Sequence, residues 1–467
     1  MTPTQAPARK DLEQLEIILR RIEAEPTDAV RARERRAFDD LASPLGERLV
    51  LFGAGPLGKG VLAGLRKAGV QPLAFADNRV GGERRKEEDR RKAEQKRREE
   101  QRREEERRRA ERRRVEARRK GERRRNERAC LETIAGGVAE FTPAHSNRDS
   151  SHEQVMGLPL LSATEAVELY GKTACFVVTI YQGSSVRRQL ESLGCQRVVA
   201  CAPLLWKYAD IFIPQCGLEL PHRFREQCHN IRQCYARLGD ELSKRDLREQ
   251  LLWRYWLDFS ALSPPLDASD TYFPRDLLSP VPNEVFVDCG SFDGDSIRSF
   301  NRHWDGEFRH AFAFEPDPAN RGALATNMEA MGIGDRVTVM PYAVGNINGQ
   351  VSFALNSSAS SHVTTQDAGA TVECRRLDDI EWPLVPTYIK MDIEGAEPEA
   401  LAGGSELLRR HQPVLAVCTY HRSEHLWQIP NLIRSIAPEY NLFLRRYAEE
   451  CWEGVCYAIP KHRLKRA

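Results

Sequence analysis

No CxxC pair occurs among the twelve cysteines of this 467-residue chain, and no window approaches the roughly 18 continuous apolar residues that span a bilayer. The first absence, with the scattered spacing of the thiols, excludes a zinc ribbon and a disulfide framework. Cys175, Cys289, Cys418 and Cys456 lie inside apolar runs, where a reduced thiol behaves as a small hydrophobe. The opening residues lack the basic start, apolar stretch and small-residue cleavage site of a leader, so the expectation is a soluble, cytoplasmic protein with no transmembrane segment.

Net charge is also scarce, at +2, but it is unevenly spread. Residues 83–128 hold 24 Lys/Arg against 14 Asp/Glu, while the rest of the chain holds 46 against 54. Only Ala93, Ala110, Val115 and Ala117 are apolar in that stretch, so it cannot bury a face in a core. Arg and Glu favour helix, and opposite charges recur at three- and four-residue spacings. The pattern predicts a solvated single helix, about 70 Å long at 1.5 Å per residue. Nucleic-acid contact could rest on this segment alone, but its interleaved acids favour a spacer.

What is present is alternation of strands and helices. Residues 1–44 read as a charged helical segment. "RLVLFGAG", "PLGKGVLAGLRKAGV" and "QPLAFADN" open a βαβ unit, and the pattern resumes beyond an insertion at 83–156. A small parallel-sheet, Rossmann-like domain is expected over 45–202, and a helical connector over 203–282. Strand candidates from "EVFVDCG" to "GVCYAIP" then form a second α/β domain over 283–461.

Each domain has a glycine turn after its first strand and an acid after its second. Asp77 lies 19 residues beyond Gly58, and Glu315 lies 21 beyond Gly294. A carboxylate there suits a ribose with two free hydroxyls. The turns differ in charge. Gly53, Gly55 and Gly58 form an acid-free GxGxxG that fits a dinucleotide or nucleotide sugar. "VFVDCGSFDGDS" carries Asp288, Asp293 and Asp295, which would repel a pyrophosphate. S-adenosylmethionine has no phosphate and presents an ammonium and a sulfonium. An acid-bearing turn, with Gly290 and Gly294 allowing close backbone approach, suits that ligand.

From about residue 272 the chain resembles the FkbM family of S-adenosylmethionine-dependent methyltransferases. The stretches that carry the likeness are "YFP" at 272–274, "FVDCGSFDGDS", "AFEPD", "YIKMDIEGAEPEAL" and "YHRSEHLWQIP". The resemblance implies a class I methyltransferase fold, a small nucleotide-binding-like domain before it, and methyl transfer to a hydroxyl of a sugar, glycan or secondary metabolite. The 83–156 insertion is not part of that pattern.

Carried onto this sequence, Asp288, Gly290, Ser291, Asp293, Gly294 and Asp295 form the donor turn, Glu315 binds ribose, and Asp317 stands beside it. Strand alternation puts Lys390, Asp392 and Glu394 on one side of the chain at a strand's carboxyl end. Asp392 is then the acceptor-side carboxylate, supported by Lys390 and Glu394 or flanked by a Lys–Glu structural pair. His421 is the candidate general base, because an imidazole titrates near neutrality. "SSASSHVTT" at 357–365 is a polar loop that either covers the donor or merely connects.

Residues 421–425 also spell HxxEH, but His421 follows an apolar strand-like run, so the two imidazoles should not share a helix face as a zinc protease requires. Asp392 and Glu394 are hard oxygen ligands that Mg2+ could use, yet spacing offers no third, and no metal site is assigned. Two rival readings remain. One is a nucleotide-sugar oxidoreductase using the first turn, and the other is a binding protein tethered through the charged helix.

Overall fold

The computed structural model describes residues 5–80, 153–214, 217–354, 362–363 and 371–465. The charged stretch 83–128, most of the 83–156 insertion and nearly all of the 357–365 loop fall outside these residues. The chain divides into two compact units. The larger comprises residues 1–43, 180–188 and 199–467, and the smaller comprises 44–179 and 189–198. Among the described residues, no helix is long and apolar enough to cross a membrane.

The smaller unit is built on a sheet of order β3-β4-β2-β1-β5-β6. Its strands are β1 (Leu49–Phe52), β2 (Ala74–Ala76), β3 (Gln154–Val155), β4 (Leu158–Leu161), β5 (Cys175–Val178) and β6 (Arg197–Ala200). β1 pairs in parallel with β2 and β5, and every residue of β1 and β5 is buried. Unbroken apolar runs such as "LVLF" and "CFVV" are what a parallel sheet covered on both faces needs.

The larger unit contains a seven-stranded sheet of β7 (Val285–Cys289), β8 (His310–Phe314), β9 (Val337–Met340), β14 (Tyr388–Met391), β15 (Val414–Cys418), β16 (Asn441–Arg446) and β17 (Gly454–Ile459). Between β9 and β14, a four-stranded sheet of order β10-β13-β11-β12 is formed by β10 (Ala343–Val344), β11 (Gly349–Ala354), β12 (His362–Val363) and β13 (Thr371–Arg375). The order of the main sheet is β16-β17-β15-β14-β7-β8-β9. β7 pairs in parallel with β8 and β14, while β17 runs antiparallel to β15 and β16. Counted in sequence, this is 3-2-1-4-5-7-6. Strand order reverses between β7 and β14, and the crevice at their carboxyl ends is where ligands of open α/β sheets bind.

Helices Gln5–Ala24 and Thr27–Ala42 and the connector helices do not stand apart from this sheet. Leu15, Leu19, Ile22 and Val30 are buried in one cluster with Ile231, Leu247, Leu251, Val287, Ile389 and Leu442. The expected segments 1–44, 203–282 and 283–461 therefore share a core, because Leu15, Leu19 and Ile22 recur at the spacing that puts one helix stripe against a neighbour. Likewise, residues 180–188 and the chain from Val199 onward group with the larger unit, although β6 itself runs to Ala200. A second cluster gathers Phe273, Phe286, Phe300, Trp304, Tyr388 and Tyr457, with Phe286 and Phe300 stacked at 4.5 Å between centroids.

Candidate active site

β7 ends in Asp288 and Cys289, and the chain turns through residues 290–294 into the helix Asp295–His303. Gly290 has φ +81, and a Cβ there would lie 1.9 Å from the backbone oxygen of Asp392. Only glycine lets the β7 turn close onto the end of β14 in this way. Gly294, at φ +86, starts the helix, and a Cβ there would meet Met328 at 2.4 Å. The N–H groups of Gly290 and Ser291 both donate to the carbonyl of Phe314, and the Ser291 hydroxyl donates to that of Asp288. Ser291 is thus fully buried bracing of the turn.

The three aspartates of the turn have three different surroundings. Asp288 is buried, with the Lys390 ammonium 3.0 Å away, and burial pushes its carboxyl up to about 6. Asp293 points toward Arg298 at 3.7 Å and does not line the pocket described next. Asp295 does line it. One acid therefore faces the ligand space where the sequence suggests three, because the turn alternately buries and exposes its side chains.

That pocket has a volume of about 770 Å³ and is open to solvent; Gly290, Asp295, Glu315, Lys390, Asp392 and Glu394 are among its walls. Glu315 follows β8 directly. Its Oε2 accepts from the N–H of Phe292 at 2.9 Å, and its Oε1 accepts from that of Asp317 at 2.8 Å. Asn320 Nδ2 adds a longer bond to Oε1 at 3.4 Å, so the carboxylate is held in place with Oε2 the oxygen left able to accept from a ligand, and burial raises its pKa despite those bonds. Asp317 has another job. It caps the helix Pro318–Ala330 by accepting from the N–H of Ala319 at 2.8 Å, and it is not among the pocket's walls.

Asp392 follows β14. Its Oδ2 accepts from the Tyr272 hydroxyl at 2.8 Å, its Oδ1 accepts from the Tyr420 hydroxyl at 3.2 Å, and His421 Nε2 lies 3.2 Å from Oδ1. Burial opposes ionisation, but the neighbouring His421 imidazole and the Lys390 charge hold the carboxyl well below the usual range. Glu394 lines the pocket with its Oε2 3.8 Å from His421 Nε2.

Two expectations are corrected here. Lys390 does not pair with Glu394. Its Nζ reaches back under the donor turn, to Asp288 and to the Gly290 carbonyl at 2.7 Å, because β14 lies beside β7 with Lys390 level with Asp288. His421 is not a free base either. Its Nδ1 lies 2.8 Å from Glu397 Oε1, and although burial works against charge, Glu397 and Asp392 raise its pKa well above the ordinary value. Both of its ring nitrogens face carboxylates, so neither stands free toward an acceptor hydroxyl.

Sequence reasoning missed Tyr272, Tyr420, Glu397 and Glu453. Glu397 opens the helix Glu397–Gly403, is fully buried, and accepts from the N–H of Ile393 at 3.0 Å. His425 Nδ1 lies 3.3 Å from its Oε2. The two histidines of HxxEH thus converge on one carboxylate, while His421 precedes the helix His425–Ile436 and shares no helical face with His425. Glu453 is mostly buried, and burial, followed by the charge of Asp392, pushes its carboxyl up to about 7.

In the smaller unit, Gly58 serves close packing, since a Cβ there would lie 1.9 Å from the Gly53 oxygen; a Cβ on Gly55 would meet nothing within 4 Å. Asp77 Oδ2 accepts from the N–H of Ala54 at 3.1 Å and from Arg79 Nη2 at 2.7 Å, and Oδ1 accepts from Arg79 N and Nε at 2.9 Å. The carboxylate that a ribose would need is held by its own neighbour.

A sheet of order 3-2-1-4-5-7-6, with a pocket at the switch point and an acid after the second strand, is the class I methyltransferase fold. Residues 288–451 match the model of the methyltransferase FkbM domain. The 2-O-methyltransferase NoeI of Sinorhizobium fredii (strain NBRC 101917 / NGR234) is 31% identical over 152 residues, which cover 28% of this chain and 60% of that protein. The match thus spans about three fifths of that curated relative. The crystal structure of methyltransferase FkbM from Methylobacillus flagellatus KT aligns with a TM-score of 0.62 at 19% identity, covering 96% of this chain and 99% of that one, and shows the shared fold.

Proposed function

We propose that the larger unit binds S-adenosylmethionine in the pocket at the β7–β14 switch point and transfers its methyl group to a hydroxyl oxygen of a sugar, glycan or secondary metabolite. One observation carries this reading: Glu315 and Asp392 line the same pocket, with the Gly290 turn packed against the backbone of Asp392. Glu315 offers a fixed carboxylate for two ribose hydroxyls, and Asp295 offers charge to a cationic donor. The 2-O-methyltransferase relative supports oxygen as the acceptor atom.

Bound there, the donor supplies an electrophilic methyl carbon on sulfur. The chain's work is alignment, since in-line displacement needs acceptor oxygen, methyl and sulfur collinear at near contact. Asp392, ionised and oriented by Tyr272, Tyr420 and His421, accepts the hydrogen bond of the acceptor hydroxyl and receives its proton as the O–C bond forms and the S–C bond breaks. Its low pKa is adequate, because the methylated oxonium is far more acidic than an alcohol.

Calorimetric titration of S-adenosylmethionine and of NAD into wild type, Glu315→Ala and Asp77→Ala tests the assignment. Wild type and Asp77→Ala should bind S-adenosylmethionine alike, and Glu315→Ala should lose at least about tenfold, the loss of roughly 1.4 kcal/mol of binding. Unchanged affinity in Glu315→Ala, or no binding by wild type, would sink it.

A further inference from the structure

We propose that Asp392, Glu397 and His421 form a site for one divalent first-row transition cation, of the Mn2+ kind, at the acceptor side of the pocket. The site exists independently of the methyl-transfer reading, but the role given to it rests on that reading. One potential ligand atom from each of the three residues lies within 4.8 Å of the others. Ligands of one ion, with bonds of about 2.1 Å, mostly stand about 3–4 Å apart, so the set closes on a cation by drawing in on the order of 1 Å.

A second observation is independent of the carboxylates. The His421 side chain is almost wholly buried, at 3% exposure. Its Nε2 lies 3.2 Å from Asp392 Oδ1 and 3.8 Å from Glu394 Oε2, yet completes no hydrogen bond of normal geometry. A buried ring nitrogen aimed at two carboxylates without a satisfied bond is short of a partner, and a buried polar atom in that state is costly. Glu397 Oε2 and His425 Nδ1 are in the same condition.

The ligands are also individually held, as metal ligands need to be. Tyr272 and Tyr420 donate to the two oxygens of Asp392, while the N–H groups of Ile393 and Gly395 donate to Glu397 Oε1 at 3.0 and 3.4 Å. Two carboxylates with one imidazole form a mixed oxygen and nitrogen set; the carboxylates suit Mn2+, and the imidazole turns the site from Mg2+ and Ca2+ toward first-row transition ions. Of the three ligands Asp392 lines the pocket, next to Glu394, so a coordination position left open on that side would meet an acceptor there. A hydroxyl placed there would have its oxygen polarised and its proton loosened by the cation.

Mn2+ uptake is read by loss of the free-ion electron paramagnetic resonance signal, using the full chain after chelator treatment and no methyl donor. The expected result is one Mn2+ per chain, with affinity reduced at least about tenfold in Asp392→Asn and in His421→Asn, and unchanged in Asp293→Asn, whose acid lies on the donor turn outside the pocket. S-adenosylmethionine titration of each variant shows that it is folded. No stoichiometric uptake by wild type, or equal uptake by wild type and both ligand variants, overturns the cation site. Mn2+ uptake without S-adenosylmethionine binding would instead overturn the function proposed above and leave the cation site standing.

Discussion

The hydroxyl of Tyr272 donates to Asp392 Oδ2 at 2.8 Å across 120 residues of sequence. Tyr272 is itself pinned, since its N–H donates to the Tyr457 hydroxyl at 3.0 Å and its carbonyl accepts from the Tyr388 hydroxyl. The proline-rich stretch before the sheet therefore delivers a site residue.

Tyr272→Phe keeps the ring and removes that one hydrogen bond. A bond to a charged group is worth about 1.5–3 kcal/mol, so kcat should fall roughly 10- to 150-fold with donor affinity unchanged. A variant that loses S-adenosylmethionine binding in parallel with kcat would show that the tyrosine shapes the pocket and does not act through Asp392.

Gly290→Ala places a methyl group 1.9 Å from the Asp392 oxygen, at a backbone φ of +81. Backbone strain alone is of order 1–3 kcal/mol, so both the melting temperature and donor affinity should drop. Gly60 lies in the helix Pro56–Lys67, and a methyl group there would meet nothing within 4 Å. Gly60→Ala should therefore stabilise by about 0.5–1 kcal/mol. Thermal melts of the two variants would show opposite signs.

Lys390→Met leaves Asp288 buried without its ammonium. Breaking a buried pair costs about 3–5 kcal/mol, and the double variant Lys390→Met/Asp288→Asn should recover part of that loss. Urea unfolding midpoints measure both, and a double variant no better than the single would mean that the pair is not coupled.

Glu453 has a folded-state pKa of about 7 against an ordinary 4.5. The native state holds the proton more tightly than the unfolded chain. The resulting stability is full below about pH 4.5 and is lost as pH rises through 7, a change of roughly 3 kcal/mol at 1.36 kcal/mol per pKa unit. Glu453→Gln should remove that slope, so the gap between its urea midpoint and that of wild type should widen from pH 4.5 to 7.

Local features were legible in the sequence. Glycine turns, strand ends and the spacing from Gly294 to Glu315 depend on a few consecutive residues, and they located the pocket. The partner of Lys390 depended on which strand lies beside β14, and period-two alternation says nothing about neighbours. Alternation also stops at Met391, where β14 ends. Glu394 at φ +57 and Gly395 at φ +106 then reverse the chain so that Glu397 returns beneath His421. Glu397 was in plain view in "DIEGAE", but its position rests on two left-handed residues that no periodicity reports. The upward shift of the His421 pKa follows from that same unseen carboxylate.

The shared core of the larger unit sets a limit on how the protein can be divided. The family match begins at residue 288, yet Val287 and Ile389 of the central strands lie in the same buried cluster as Leu15, Leu19 and Ile22. A fragment cut at the boundary of sequence similarity would leave that apolar surface in water, where side chains of this size each forfeit about 1.5–3 kcal/mol. The match to the family model is therefore shorter than the folding unit, and an autonomous form of that unit must retain the helix that carries Leu15, Leu19 and Ile22.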